Sequence, residues 1–148
     1  MALIIKDAII EPVVTFAATQ FKKEDWKSKY SALLALGSIA EGPSPDKFAS
    51  IISPGLANLL AMLSDSSIKV KEVNSWVFTR ICEHHAHILH EPEVLKVFLD
   101  NVNKLLQDEP KIANHACHII SNLAHSFKPK SGNELQNLFT PYFEHFWN

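Results

Sequence analysis

A forty-two-residue step runs through this chain. Three segments end alike: ALGSIAE at 35–41, VFTRICE at 77–83 and IISNLAH at 119–125, each 42 residues after the one before. Leu36, Phe78 and Ile120 are equivalent, as are Ile39, Ile81 and Leu123, and then Ala40, Cys82 and Ala124. A second phase keeps the same increment. Val14, Ala18 and Phe21 correspond to Leu56, Leu60 and Leu63, and then to Phe98, Val102 and Leu105. A fixed period of this size constrains a chain more than any short motif does. One unit cannot close a core alone, so it must bury its apolar surface against its neighbours.

The second set has i, i+4, i+7 spacing, the apolar stripe of an amphipathic helix. The first set is helical too: Leu33, Leu36, Ile39 and Ala40 line one face, as do Val73, Val77, Ile81 and Cys82. Each repeat is therefore expected to be a helix pair. Helix A spans roughly 8–22, 46–63 and 92–107; helix B spans roughly 26–41, 68–84 and 110–126. The A-to-B turns KKED, SDSS and QDEP each offer Asp or Ser where a helix start needs a cap. Pro110 suits a first helical position. Pro12 and Pro54 recur at one level of helix A, where proline deletes a backbone hydrogen bond and a kink is expected.

The expected units are 1–42, 43–87, 88–128 and a last helix A over 129–148, about three and a half repeats. SPDKFASIISPGLANLL (44–60) aligns with SGNELQNLFTPYFEHFW (131–147) at an offset of 87, pairing Pro54 with Pro141 and Leu60 with Trp147. That final helix offers Leu138, Phe139, Tyr142, Phe143, Phe146 and Trp147 with no polar cap, so the sequence reads as cut from a longer solenoid.

Composition narrows the function classes. At 148 residues, 47% of them hydrophobic, the chain can build a core. A formal charge of −2 argues against a strongly basic nucleic-acid binder. No apolar run is long enough to insert in a membrane, and MALIIKDAIIEP lacks the basic start of a signal peptide. Cys82 and Cys117 sit in apolar periodic segments and read as small buried hydrophobes of a reducing compartment. No catalytic signature is present, so an enzyme is not expected and no cofactor is implied. The one constellation that suggests chemistry is His84, His85, His87 and His90. Imidazoles can ligate zinc or nickel, but no acid or thiolate is spaced to complete a site, so a solvated inter-repeat loop is the better reading.

A period of 40–47 residues with two helices per repeat marks an all-α superhelix of HEAT type. DWKSKYSALLALGSIAEGPSP (25–45), VKEVNSWVFTRICE (70–83) and DEPKIANHACHIISNLA (108–124) resemble the importin-β family of nuclear import receptors. The EGPSP turn and the W-x-x-x-R-I-C-E segment carry most of that resemblance, because the generic repeat pattern requires neither. The resemblance implies a protein that shuttles between cytoplasm and nucleus. Its B helices would line a concave surface that holds the basic importin-β-binding segment of importin-α, or other cargo. It also implies contacts of the whole receptor with the small GTPase Ran and with nucleoporin phenylalanine–glycine repeats.

Trp76, Arg80 and Glu83 lie along one side of the second B helix, with Glu72 a turn before them. Their equivalents are Leu34, Ser38 and Glu41 in the first repeat, and His118, Asn122 and His125 in the third. The resemblance matches Trp76 to a ligand-holding tryptophan of the family and puts His118 where another tryptophan is usual. A basic peptide could lay a Lys or Arg over the Trp76 ring, a contact worth about 0.5–2 kcal/mol. Glu41, Glu72 and Glu83 would add charge-assisted bonds. Arg80 could instead pair with Glu83 or Glu72 along its own helix. Trp26 reads as a packing residue between repeats. The rival reading is a HEAT scaffold subunit of another complex, such as a phosphatase or cytoskeletal scaffold.

Overall fold

The computed structural model describes residues 8–127, which fold into helices and connecting turns, with no strand among them. Helix A of the first repeat is α1 (Ile10–Phe21) and helix B is α2 (Trp26–Ile39). In the second repeat helix A is split into α3 (Pro45–Ile52) and α4 (Leu56–Met62), and helix B is α5 (Ile68–His84). The third repeat is α6 (Pro92–Leu105) and α7 (Pro110–Ser126). The fold is the all-α superhelical solenoid expected from the repeat. The expected helix over 129–148 lies outside the described residues.

The two prolines of helix A behave differently, for a reason of position. Pro54 falls mid-helix, and Ser53–Gly55 becomes a 3-10 turn that divides α3 from α4. Pro12 falls in the first turn of α1, where a backbone N–H has no helical acceptor to lose, so no kink follows. Prolines open α3, α6 and α7 for the same reason. The A-to-B turns are tied down by aspartates. Asp25 Oδ1 accepts from the Ser28 amide at 2.9 Å, Asp65 Oδ1 from the Ser67 amide at 2.9 Å, and Asp108 Oδ1 from the Glu109 amide at 2.8 Å.

The B helices form the spine. α5 packs broadly against α2 on one side and α7 on the other. Leu33, Val70, Val77, Phe78, Ile81, Ile112 and Ile119 are buried at these seams. Phe48, Phe78 and Phe98 carry the largest buried side chains, and the Phe78 and Phe98 rings meet at 5.0 Å. The A layer is looser, because α1 is held off α3 and α4 by an open groove. A stack with one layer close-spaced and the other splayed curves toward the close-spaced layer, so the B helices take the inner side.

Register between repeats is fixed by ion pairs at the same step. Lys29 Nζ reaches Asp65 Oδ2 at 2.9 Å, and Lys71 Nζ reaches Asp108 Oδ2 at 2.5 Å. The two lysines are 42 residues apart and the two aspartates 43. Each joins a B helix to the turn of the following repeat. The Lys71 bond and the Glu109 amide hold Asp108 below the usual carboxylate range. Burial pulls the Asp65 pKa up, but the Ser67 amide and Lys29 outweigh it and leave the group more acidic than usual.

Two expectations fail here. Cys117 is exposed, although its equivalents Leu33 and Ser75 are fully buried. Those two are covered by the next B helix in the stack, whereas no described helix follows α7. Cys82 is buried as expected, and burial alone pushes its thiol far above the ordinary range. Trp26 does not pack between repeats. It stands 46% exposed at the start of α2, since an aromatic in a first helical turn projects past the end of the neighbouring rod.

Candidate partner-binding surface

Trp76 sits mid-way along α5, half-buried against the core, and the Cζ3 corner of its ring lies against Gly37 of α2. A methyl group on Gly37 would stand 2.3 Å from Trp76 Cζ3 and 2.9 Å from Cε3, so only glycine lets the indole rest on the neighbouring backbone. The ring is thereby held between two repeats with part of its surface open.

Arg80 lies one turn on. Its Nη2 bonds Glu41 Oε2 at 3.1 Å across the repeat seam, and its Nη1 stands 3.6 Å from Glu83 Oε2 on its own helix. Both carboxylates remain largely open, at 65% and 50% exposure. Arg80 therefore takes Glu83 and Glu41 as partners, not Glu72. Glu72 instead stands by His115, where burial lowers the imidazole pKa and the Glu72 charge only partly restores it. Leu34 and His118 are exposed at the registers of Trp76 on α2 and α7. Asn122 turns inward and donates from Nδ2 to the Thr79 carbonyl at 3.4 Å, tying α7 to α5. The structure thus groups Trp76, Arg80, Glu41 and Glu83 at one seam, with Glu72 and His118 as separate polar positions and Asn122 as a seam bond. A half-buried indole one helical turn from Arg80 and its exposed carboxylate partners suits an alkyl cation laid over the ring face, provided the ligand shares or replaces Arg80.

The histidine segment is not the solvated loop expected from sequence. Ala86–Leu89 forms a 3-10 turn, and His85 is only 3% exposed. His85 Nε2 is 2.6 Å from the Ala40 carbonyl, and its ring stacks on Phe48 at 4.1 Å. His90 Nε2 is 3.1 Å from Ser126 Oγ, with its ring stacked on Phe127 at 4.4 Å. One segment thus clasps the repeats before and after it, because imidazole combines a flat apolar face with a polar edge. A cavity of about 350 Å³ lies beside it, lined by Glu83, His84, His87, His90, Asn122 and His125. Among the described residues no set of three or more such side chains is placed to hold a metal ion.

Sequence reasoning missed Gly37, His85 and Asn74. For Gly37 the signal was present: its equivalents Thr79 and Ser121 are also small, a column that leaves room for a neighbour. Asn74 stands between Ala32 and Ala116 in another column, all three fully buried. Its Nδ2 donates to the Leu59 carbonyl at 2.7 Å, capping the end of the shortened α4.

No family model matches the chain. Among curated proteins it is 27% identical over 143 residues to importin subunit beta-1 of Schizosaccharomyces pombe, covering 97% of this chain and 16% of that protein. It is 29% identical over 154 residues to importin subunit beta-1 of Arabidopsis thaliana, covering 97% and 17%. Among solved structures it superposes on Kap95p in its assembly with RanGDP, with a TM-score of 0.82 and 27% identity over 91% of this chain and 16% of the other. A Kap95:Nup1 complex gives the same TM-score and identity over 90% and 16%. The chain thus spans about a sixth of the length of the relatives it matches.

Proposed function

From the premise that this chain belongs to the importin-β family, we propose that it works as a stretch of a nuclear import receptor that shuttles through the nuclear pore. In this reading its B-helix face takes the basic importin-β-binding segment of importin-α, or a cargo segment of like chemistry. The observation that carries the reading is the seam at Gly37, where an indole is presented between repeats beside the open carboxylates of Glu41 and Glu83. A Lys or Arg of the ligand stacks on Trp76 while Glu41 and Glu83 pass from Arg80 to the incoming cation. Glu72 and His118 extend the track on either side of that seam.

Each contact is small, and useful affinity comes from many repeats acting together. The 148-residue chain alone binds weakly. Titration calorimetry with a synthetic basic segment tests the reading at two salt concentrations. Trp76→Ala should weaken binding between about twofold and thirtyfold, and raising salt should weaken it further. Binding that ignores both the substitution and the salt would sink the proposal.

A second partner follows from the outer layer. The groove between α1 and α3/α4, about 450 Å³, is lined by Val14, Ala17, Phe21, Ile51, Leu59 and Met62. An apolar slot of that size admits an aromatic ring, and the Kap95:Nup1 complex supports a nucleoporin as the source of one. Ala18→Trp, which fills the slot, should abolish binding of a phenylalanine–glycine peptide and leave the basic peptide untouched. Contact with Ran belongs, in this reading, to the receptor as a whole.

A further inference from the structure

The A-to-B edge of the solenoid carries a third periodic feature, separate from both faces. The three B helices open on Trp26-Lys27, Ile68-Lys69 and Pro110-Lys111, an apolar residue and a lysine at the same two positions each time. All six residues are exposed. Trp26 and Ile68 are among the few large apolar side chains on the surface, at 46% and 45%. A single exposed apolar side chain is ordinary; what marks these two is their recurrence at equivalent positions, each followed by an exposed lysine. Lys27 Nζ stands 5.8 Å from the Trp26 ring centroid, which keeps charge and ring together.

The next lysine in the first two turns has a different task. Lys29 and Lys71 point sideways into Asp65 and Asp108 and lock the repeats in register. That lock sets Lys27, Lys69 and Lys111 in a row with the helix-to-helix spacing, about 10 Å per step. Charge is divided between the two edges. Segments 22–29, 64–71 and 104–111 hold eight lysines against five acidic residues, whereas the opposite connections, 39–47 and 83–93, hold one lysine against five.

We propose that this edge is a docking strip for an extended acidic protein segment with apolar residues between its carboxylates. A chain in the polyproline II form turns once every three residues and rises about 3.1 Å per residue, so carboxylates at every third position share one face and meet the step of about 10 Å between the lysines. One of the two residues between successive carboxylates lies toward Trp26, Ile68 or Pro110. A nucleic acid fits poorly, because duplex DNA carries a charge about every 1.7 Å, whereas the lysines recur at about 10 Å. The strip is independent of the basic-segment site and can be occupied together with it.

Fluorescence anisotropy of the 148-residue chain with a labelled (Glu-Phe-Ser)4 peptide tests this. Comparison probes are a peptide of the same composition with its glutamates in one block, and a twelve-base-pair DNA. The wild type should bind the periodic peptide more tightly than either comparison probe. Lys27→Glu/Lys69→Glu/Lys111→Glu should lose about tenfold or more, and the milder Lys→Gln triple about threefold. Circular dichroism checks that each variant folds, and the Gln triple decides the matter if the Glu triple does not. Equal binding of the block peptide or the DNA overturns the proposal, as does unchanged affinity in the folded triple variants or no binding by the wild type.

Discussion

At the residue scale, two side chains sit where a small change gives a readable response. Gly37 leaves the space that the Trp76 ring fills, with Cζ3 only 2.3 Å from where a methyl would stand. Alanine there gains about 1 kcal/mol of helix propensity. It also forces the indole off α2, at an overpacking cost of about 1–3 kcal/mol. We expect Gly37→Ala to lower the melting temperature by a few degrees and to red-shift the fluorescence of Trp76 as the ring meets water. Loss of basic-segment binding by the same variant would tie the ring's placement to its use. His85 gives a pH response. Burial lowers its pKa, only partly countered by the Ala40 carbonyl, and the neighbouring His84 and His87 lower it further. The fold therefore favours the neutral ring. Stability is full above the ordinary histidine pKa of about 6.5 and falls as pH drops through it, since the unfolded chain then binds the extra proton. Thermal melts between pH 7.5 and 5.5 should show this decline. His85→Gln, which keeps a donor for Ala40 but cannot be charged, should make it shallower without abolishing it, because burial also lowers the pKa of His90 and His115. Asp25, Asp65 and Asp108 are held below 3.8, so their contribution is lost only in stronger acid and does not blur that window.

At the element scale, helix A of the second repeat shows how a broken rod is made good. Pro54 splits it, and Asn74 of the adjoining helix satisfies the carbonyl of Leu59, one of the last four of the short α4. Asn74→Ala removes that donor from a fully buried position and should cost about 1–3 kcal/mol in urea unfolding at pH 7. Asn74→Asp should cost more, because a buried carboxylate would face a carbonyl oxygen. Relative to wild type at the same pH, its deficit should shrink as the pH falls and the group takes up a proton. The helices themselves were legible in the sequence, since apolar spacing along one rod reports directly on its buried face. The 42-residue step also gave the order of packing, and Pro54 announced its break. The seams were less legible, because they depend on how far one rod slides and turns against the next. Thus the sequence puts Trp76 away from the core stripe of α5, whereas the ring is half-buried against Gly37 of the neighbouring repeat, and the Glu41–Arg80 bond crosses between repeats and has no signature within either. His85 read as polar loop because its burial depends on Phe48, 37 positions earlier.

At the scale of the whole molecule, stability is divided among interfaces and not gathered in one core, and the interfaces are unequal. α5 is covered by B helices on both sides, whereas α1 packs against α2 but is separated from α3 and α4 by the groove. In a linear array each unit contributes its own stability plus that of the seams it shares. Loss of the middle unit removes two seams, while loss of the first removes one. Native-state hydrogen exchange should therefore show α1 opening at a lower free energy than α5, with α5 close to the global value. Phe78→Ala, at a fully buried site of the middle repeat, should cost about 3–5 kcal/mol and lower protection in all three repeats together. A change confined to the groove side of α1, such as Val14→Ala, should lower protection there and leave α7 as it was. Equal loss of protection everywhere from Val14→Ala would mean a single cooperative core. In that case the curvature of the stack would be fixed, and the B-helix face could not close or open around a bound segment by small adjustments at each seam.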